Sequence, residues 1–161
     1  MTHHPGLKTP PLTIDKVKSI PQAESNCLYM HPSVYSRFVD VNDGKEPVYG
    51  QVNNFVFILK EERSLPETSL GIPAVIRNSL KLSPTLDSPI VSWYDMPKEQ
   101  FMLGTVKMQV TCPTLKPDDK VELAEEVFIK VFREKFRNHF IGSGQEFYLN
   151  LDVRFGFIAE S

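Results

Sequence analysis

Thirteen of the 161 residues are proline against eight glycines, and this constrains the fold more than any other feature of the chain. A proline ring fixes φ and removes a backbone donor, so it breaks helix interiors and interrupts central strands. The expected texture is many short strands joined by rigid loops, with long helices confined to proline-free windows. Hydrophobic residues at 41% and charged residues at 24% match ordinary globular usage, so most of the chain is expected to pack.

A formal net charge of −2 gives no overall field to hold a nucleic-acid backbone or an anionic membrane. No apolar run approaches the roughly 20 residues that span a bilayer. Cys27 and Cys112 are far apart, neither lies in a CxxC, and no signal-peptide pattern opens the chain. Both read as reduced thiols of a soluble, cytoplasmic protein.

Residues 1–21 carry several prolines and few large apolar residues, and are expected as a flexible N-terminal tail. Residues 22–96 then show short apolar runs bounded by Asp, Asn, Gly or Pro, as strands are: Cys27 to Met30, Val34 to Val41, Val52 to Leu59, Ile72 to Ile76 and Pro89 to Tyr94. The run Phe55 to Leu59 does not alternate, which suits a strand buried on both faces of a closed barrel. This part reads as a small β-barrel.

The polar stretch Asp95 to Gln100 marks a boundary, and residues 97–161 form a second unit. Leu103 to Cys112 alternates as a half-buried strand. Asp119 and Glu122 have capping-box spacing, and a helix is expected from Lys120 to Phe140, a window without Pro or Gly. Val121, Ala124, Phe128, Val131 and Phe132 cluster on one face, making Phe132 a core anchor, while Phe136 and Phe140 drift from the face centre and Lys135 and His139 fall on its apolar side. Gly142 is expected as a left-handed C-cap. Phe147, Leu149, Leu151, Val153, Phe155 and Phe157 occupy odd positions, the period of a hairpin turning near Asp152 to Arg154. The last apolar position lies almost at the end of the sequence, so this unit is expected to be truncated.

The chain carries no GxxxxGK[ST] phosphate loop and no GxSxG element. Gly142-Ser143-Gly144 follows a helix rather than preceding one, which suits a cap and turn. His3, His4, His31 and His139 lack metal-ligand spacing, and neither cysteine has a neighbouring histidine to activate it. The expectation is a binding module without catalytic machinery of its own; a small enzyme would need a site assembled in space. Arg77, Lys81, Lys107, Lys116 and Lys120 stand near the ends of predicted strands on either side of the boundary. A solvated surface explains any one of them. Together they could line a positive groove for a partner's carboxylates.

Several elements resemble the amino-terminal domain of the N-ethylmaleimide-sensitive fusion protein family of AAA+ ATPases: Asn26-Cys27, the strand Val56 to Leu59, the turn Ile76 to Ser83, Leu103 to Val106, the helix segment Glu122 to Phe128, Gly144-Gln145 to Leu149, and Phe155-Gly156-Phe157. The likeness covers roughly residues 22–161. It implies a double-psi β-barrel followed by a smaller α/β unit with one long helix. It also implies binding of the soluble attachment protein, SNAP, and through it of SNARE complexes in vesicle fusion, peripheral to membranes. ATP and magnesium would belong to ATPase domains outside this sequence; this chain would be a cofactor-free monomer and the whole protein a homohexamer.

In that family a basic groove between the two units meets acidic SNAP. Arg77 matches the first basic residue of the barrel motif, whereas Asn78 replaces the second and Ser79 the following aromatic. Lys116 stands where a basic pair occurs, with one of the pair retained, so Arg77, Lys81, Lys116 and Lys120 are the implied groove. The turn Ile76 to Lys81 also resembles the amino-terminal domain of valosin-containing protein, which binds ubiquitin-pathway adaptors; the long helix favours the first likeness.

Overall fold

The computed structural model describes residues 6–97, 107–111, 124–150 and 154–160. Its first part is a six-stranded mixed sheet built from β1 (Thr13–Asp15), β2 (Cys27–Met30), β3 (Val48–Val52), β4 (Phe55–Glu61), β5 (Ser69–Gly71) and β6 (Ser92–Trp93), in the order β1-β5-β2-β4-β3-β6. β1 runs parallel to β5 and β2 parallel to β4, while the remaining pairs are antiparallel. Three helices accompany it: α1 (Ile20–Ala23), α2 (Pro32–Val41) and α3 (Ala74–Leu80). Strands of two to seven residues fit the proline-rich composition.

One segment forces the sheet to curl. Thr9 N–H donates to Val91 O at 2.9 Å, Trp93 N–H donates to Leu7 O at 2.8 Å, and Lys8 forms a bridge with Ser92, tying residues 7–9 to β6. A few residues later the same segment becomes β1 and pairs with β5 at the opposite edge, Thr13 against Ser69. Five strand spacings would hold the edges of a flat sheet about 24 Å apart. The four residues from Thr9 to Thr13 reach at most about 14 Å. Only a sheet rolled into a half-barrel satisfies both pairings. The expected tail is therefore corrected from Leu7 onward: Leu12 and Ile14, two apart, are buried in the core that the segment closes, and buried Thr9 accepts from Val91 N–H through Oγ1.

Inside the roll lie Leu28, Met30, Phe57, Leu59, Leu70, Ile72, Ile76 and Val91, all essentially inaccessible. Gly50 lets β3 approach β6, since a Cβ there would stand 2.7 Å from Val91 and 2.8 Å from Leu59. The β3–β4 hairpin turns through Asn53 and Asn54, with Asn53 at φ 54, a conformation asparagine tolerates. On β4, Phe57 and Leu59 face the main core, and Ile58 packs partly buried against a satellite cluster of Cys27, Tyr29 and Leu65. The strand thus has apolar contacts on both faces, the second face less deeply buried.

Two expected strands are helical. Val34 to Val41 lies in α2, where His31 caps the first turn by accepting from Ser33 N–H at 3.1 Å and Pro32 occupies the first position. Val34 and Phe38, four apart, are its buried pair. Ile72 to Ile76 is likewise not a strand: α3 begins at Ala74 and buries Val75, Ile76 and Leu80.

The second part is a three-stranded antiparallel sheet, β7 (Lys107–Thr111), β8 (Glu146–Asn150) and β9 (Arg154–Glu160), in the order β7-β9-β8, with α4 (Glu125–Phe136) packed on it. The hairpin register pairs Asn150 with Arg154, in keeping with the expected turn. The expected start is corrected: α4 begins at Glu125, and Ala124 before it is an extended N-cap without a side-chain cap, so no helix runs through from Lys120; the expected capping box, Asp119 and Glu122, lies outside the described residues. Its end is corrected: α4 stops at Phe136, Asn138 takes the positive φ of 64°, and Gly142 is not left-handed. Phe136, expected to drift outward, is the buried residue of α4 and sits 4.8 Å from the Phe147 ring, while Phe132 is half-buried between Phe128, Phe136 and Phe147.

Truncating Leu12 tests the closure. Leu12→Ala should lower stability by about 2–5 kcal/mol, the usual range for a buried leucine, read as a lower denaturant midpoint. An unchanged midpoint would mean that the segment does not hold the sheet closed.

Candidate functional site

The seam between the two sheets is built from polar side chains of both parts. α3 lies against β8, and Ser79 joins them: its hydroxyl accepts from Glu146 N–H at 2.7 Å and is 3.1 Å from Val75 O and 3.4 Å from Glu146 O. The single hydroxyl proton serves one of those two carbonyls at a time. An aromatic at this position could not make this bond, so the departure at Ser79 has a local structural use.

A second contact is deeper. Gln145 Nε2 donates to Asn26 Oδ1 at 2.7 Å, and Gln145 Oε1 accepts from Gly142 N–H at 2.9 Å. Both side chains are almost fully buried, where an unmade hydrogen bond is expensive and a satisfied pair fixes one arrangement. Tyr49 OH donates to Asn138 O at 2.5 Å, and Phe140 meets the rings of Tyr49 and Tyr94 edge to face at 5.1 and 5.2 Å. Gly142 lies so close to Phe55 that a Cβ would stand 2.7 Å from the ring. Its glycine is required by this approach, not by a helix cap.

His139 completes the seam. Asn26 Nδ2 stands 3.4 Å from its Nδ1, a contact that needs an unprotonated acceptor nitrogen. Burial, and then the cations Lys60 and Lys135, lower its pKa to about 4. Lys135 donates to Tyr148 O at 2.6 Å, and its own pKa is lowered by burial, with Glu24 and Cys27 opposing. Burial pushes the Cys27 thiol up, against weaker opposing effects of Lys60, Ser25 and Lys135, the reverse of the depression that makes a cysteine nucleophilic. Among the described residues no group of His, Cys, Asp and Glu has the arrangement of a metal site, and no helix is long and apolar enough to cross a membrane.

The predicted basic residues divide as follows. Arg77 and Lys81 belong to α3 and not to strand ends: Arg77 is half-buried and donates from Nη1 to Ile72 O at 3.2 Å, and Lys81 is exposed at the left-handed C-cap with φ 55. Neither is in an ion pair among the described residues. Lys107 is exposed on β7, separated from β8 by β9. Lys116 and Lys120 lie outside the described residues. The seam-forming Asn26, Ser79 and Gln145 were missed as a group; Asn26 and Gln145 are separated by 119 positions, and no local spacing signals such a pair. No family model and no curated protein matches the chain.

The buried imidazole gives the seam a pH dependence. An unfolded histidine takes up its proton near pH 6.5, whereas the folded one does so at about 4. Between those values the unfolded chain binds more protons, so stability is complete above about pH 6.5 and falls as pH drops toward 4, by at most about 3 kcal/mol. Urea midpoints across this range should show the decline in the wild type and a shallower slope in His139→Gln. Identical slopes would contradict the assignment.

Proposed function

We propose that this chain is the adaptor-binding, amino-terminal module of an AAA+ ATPase similar to the N-ethylmaleimide-sensitive fusion protein, and that it recruits SNAP–SNARE complexes in the cytoplasm for disassembly. On this reading the half-barrel is a double-psi β-barrel, and nucleotide chemistry belongs to ATPase domains of the whole protein. Three features support it: the order and spacing of the resembling segments, the succession of a curled sheet by a smaller sheet carrying a helix, and the cations Arg77 in α3 and Lys81 at its C-cap.

The observation that carries the proposal is α3 itself. It is wedged on β8 through Ser79 and bears Arg77 and Lys81, with no carboxylate paired to either among the described residues. Cations left unpaired at a seam steer and hold an acidic surface. Lys116 and Lys120 supply the second side of the groove on the same sequence likeness. Arg77 also supports the backbone at Ile72, so Lys81 and Lys116 are the cleaner probes.

Lys81→Glu, at an exposed position, should change stability by no more than about 0.5 kcal/mol. Lys81→Glu combined with Lys116→Glu should slow association with a SNAP-type adaptor about tenfold at low salt, through the electrostatic steering term, and the difference should shrink as salt screens it. Stopped-flow association rates at two ionic strengths check this. Equal rates, or selective binding of a ubiquitin-pathway adaptor instead, would refute the assignment.

A further inference from the structure

A cavity of about 220 Å3 opens between the N-terminal segment, α2 and the turn at Glu67 and Thr68. Leu12, Val34 and Phe38 give it an apolar lining. Two exposed cations, Lys8 and Arg37, stand at it, and the side chain of neither makes a hydrogen bond or ion pair among the described residues. The carboxylate at the cavity, Glu67, is already engaged: it accepts from Ser33 Oγ at 2.7 Å and lies 3.9 Å from His31 Nδ1. The unspent charge here is positive.

The backbone adds a second feature. Leu7 and Thr9 direct their hydrogen bonds to the β6 side, at Trp93 and Val91. The N–H and C=O of Lys8, between them, face away from β6 and make no hydrogen bond among the described residues. Pro10 and Pro11 follow and lack backbone donors, so this open edge is short. An extended chain can pair at Lys8 while its side chains alternate above and below the edge.

We propose that this cavity is a docking site for an extended acidic peptide of a partner protein. One apolar side chain enters the cavity, a flanking Asp or Glu meets Arg37 and Lys8, and the peptide backbone pairs with Lys8. The site shares no residue with the α3–β8 seam and goes beyond the adaptor reading, so either can fail while the other stands.

Fluorescence anisotropy with the labelled, end-blocked peptide Gly-Asp-Glu-Leu-Asp-Gly tests it on the full chain. The wild type should bind saturably. Replacing the peptide's Leu by Gly, or its acidic residues by Lys, should abolish binding. Arg37→Gln should weaken it about fivefold, the upper range of an exposed ion pair, and Thr68→Trp, at an exposed position lining the cavity, should block it. Lys81→Glu should bind the peptide as the wild type does, which separates this site from the seam. Absence of saturable binding, equal binding of the Lys peptide, or undiminished binding by Arg37→Gln and Thr68→Trp proteins with unchanged denaturation midpoints would overturn the proposal.

Discussion

The double attachment of residues 7–15 is the constraint on which the first unit depends. Because four residues separate the pairing with β6 from the pairing with β5, the sheet must roll until its edges meet the same segment. Rolling creates the enclosed space that Phe57, Leu59, Leu70 and Ile76 fill. It also explains why Gly50 is needed where β3 and β6 press together. The segment's prolines suit this role, since residues that bridge two edges do not need to donate to a continuous ladder.

The second unit is joined to the first by few but buried contacts. Asn26 and Gln145 satisfy each other with the help of Gly142 N–H and the neutral His139 ring, and Ser79 supplies a partner to the edge of β8. Such a network holds one geometry, because any slip leaves buried amides unpaired. The same seam fixes α3, which carries the half-buried Arg77 and ends at the exposed C-cap Lys81. Stability and the proposed recognition surface thus arise from one set of contacts: polar groups turned inward hold the units together, and Lys81 at the end of the helix remains exposed.

Legibility in the sequence followed the range of the contacts. The alternation at Phe147 and Leu149 and the helical spacing of Phe128, Val131 and Phe132 are local patterns; β8 lies where its pattern puts it, and α4 occupies the middle of the expected helix, shorter at both ends and with Phe136 on its buried side. α2 was hidden because Val34 and Phe38 sit in a short apolar run whose length suits either structure, and the cap by His31 is not a common one. β1 was hidden because the burial of Leu12 and Ile14 comes from β5 and residues 89–91, more than 50 positions away along the chain. Arg77 and Lys81 were identifiable as cations, but their placement on a helix at the seam comes from tertiary packing.

On the proposed function, the seam at α3 and β8 is the surface an adaptor covers. Backbone hydrogen exchange, followed with and without a saturating SNAP-type adaptor, addresses it directly because it reports burial without altering a residue. Adaptor binding should slow exchange across residues 77–82 and at Glu146 and leave the interior of β4 unchanged. Protection confined to other surfaces, with α3 exchanging as in the free chain, would contradict it.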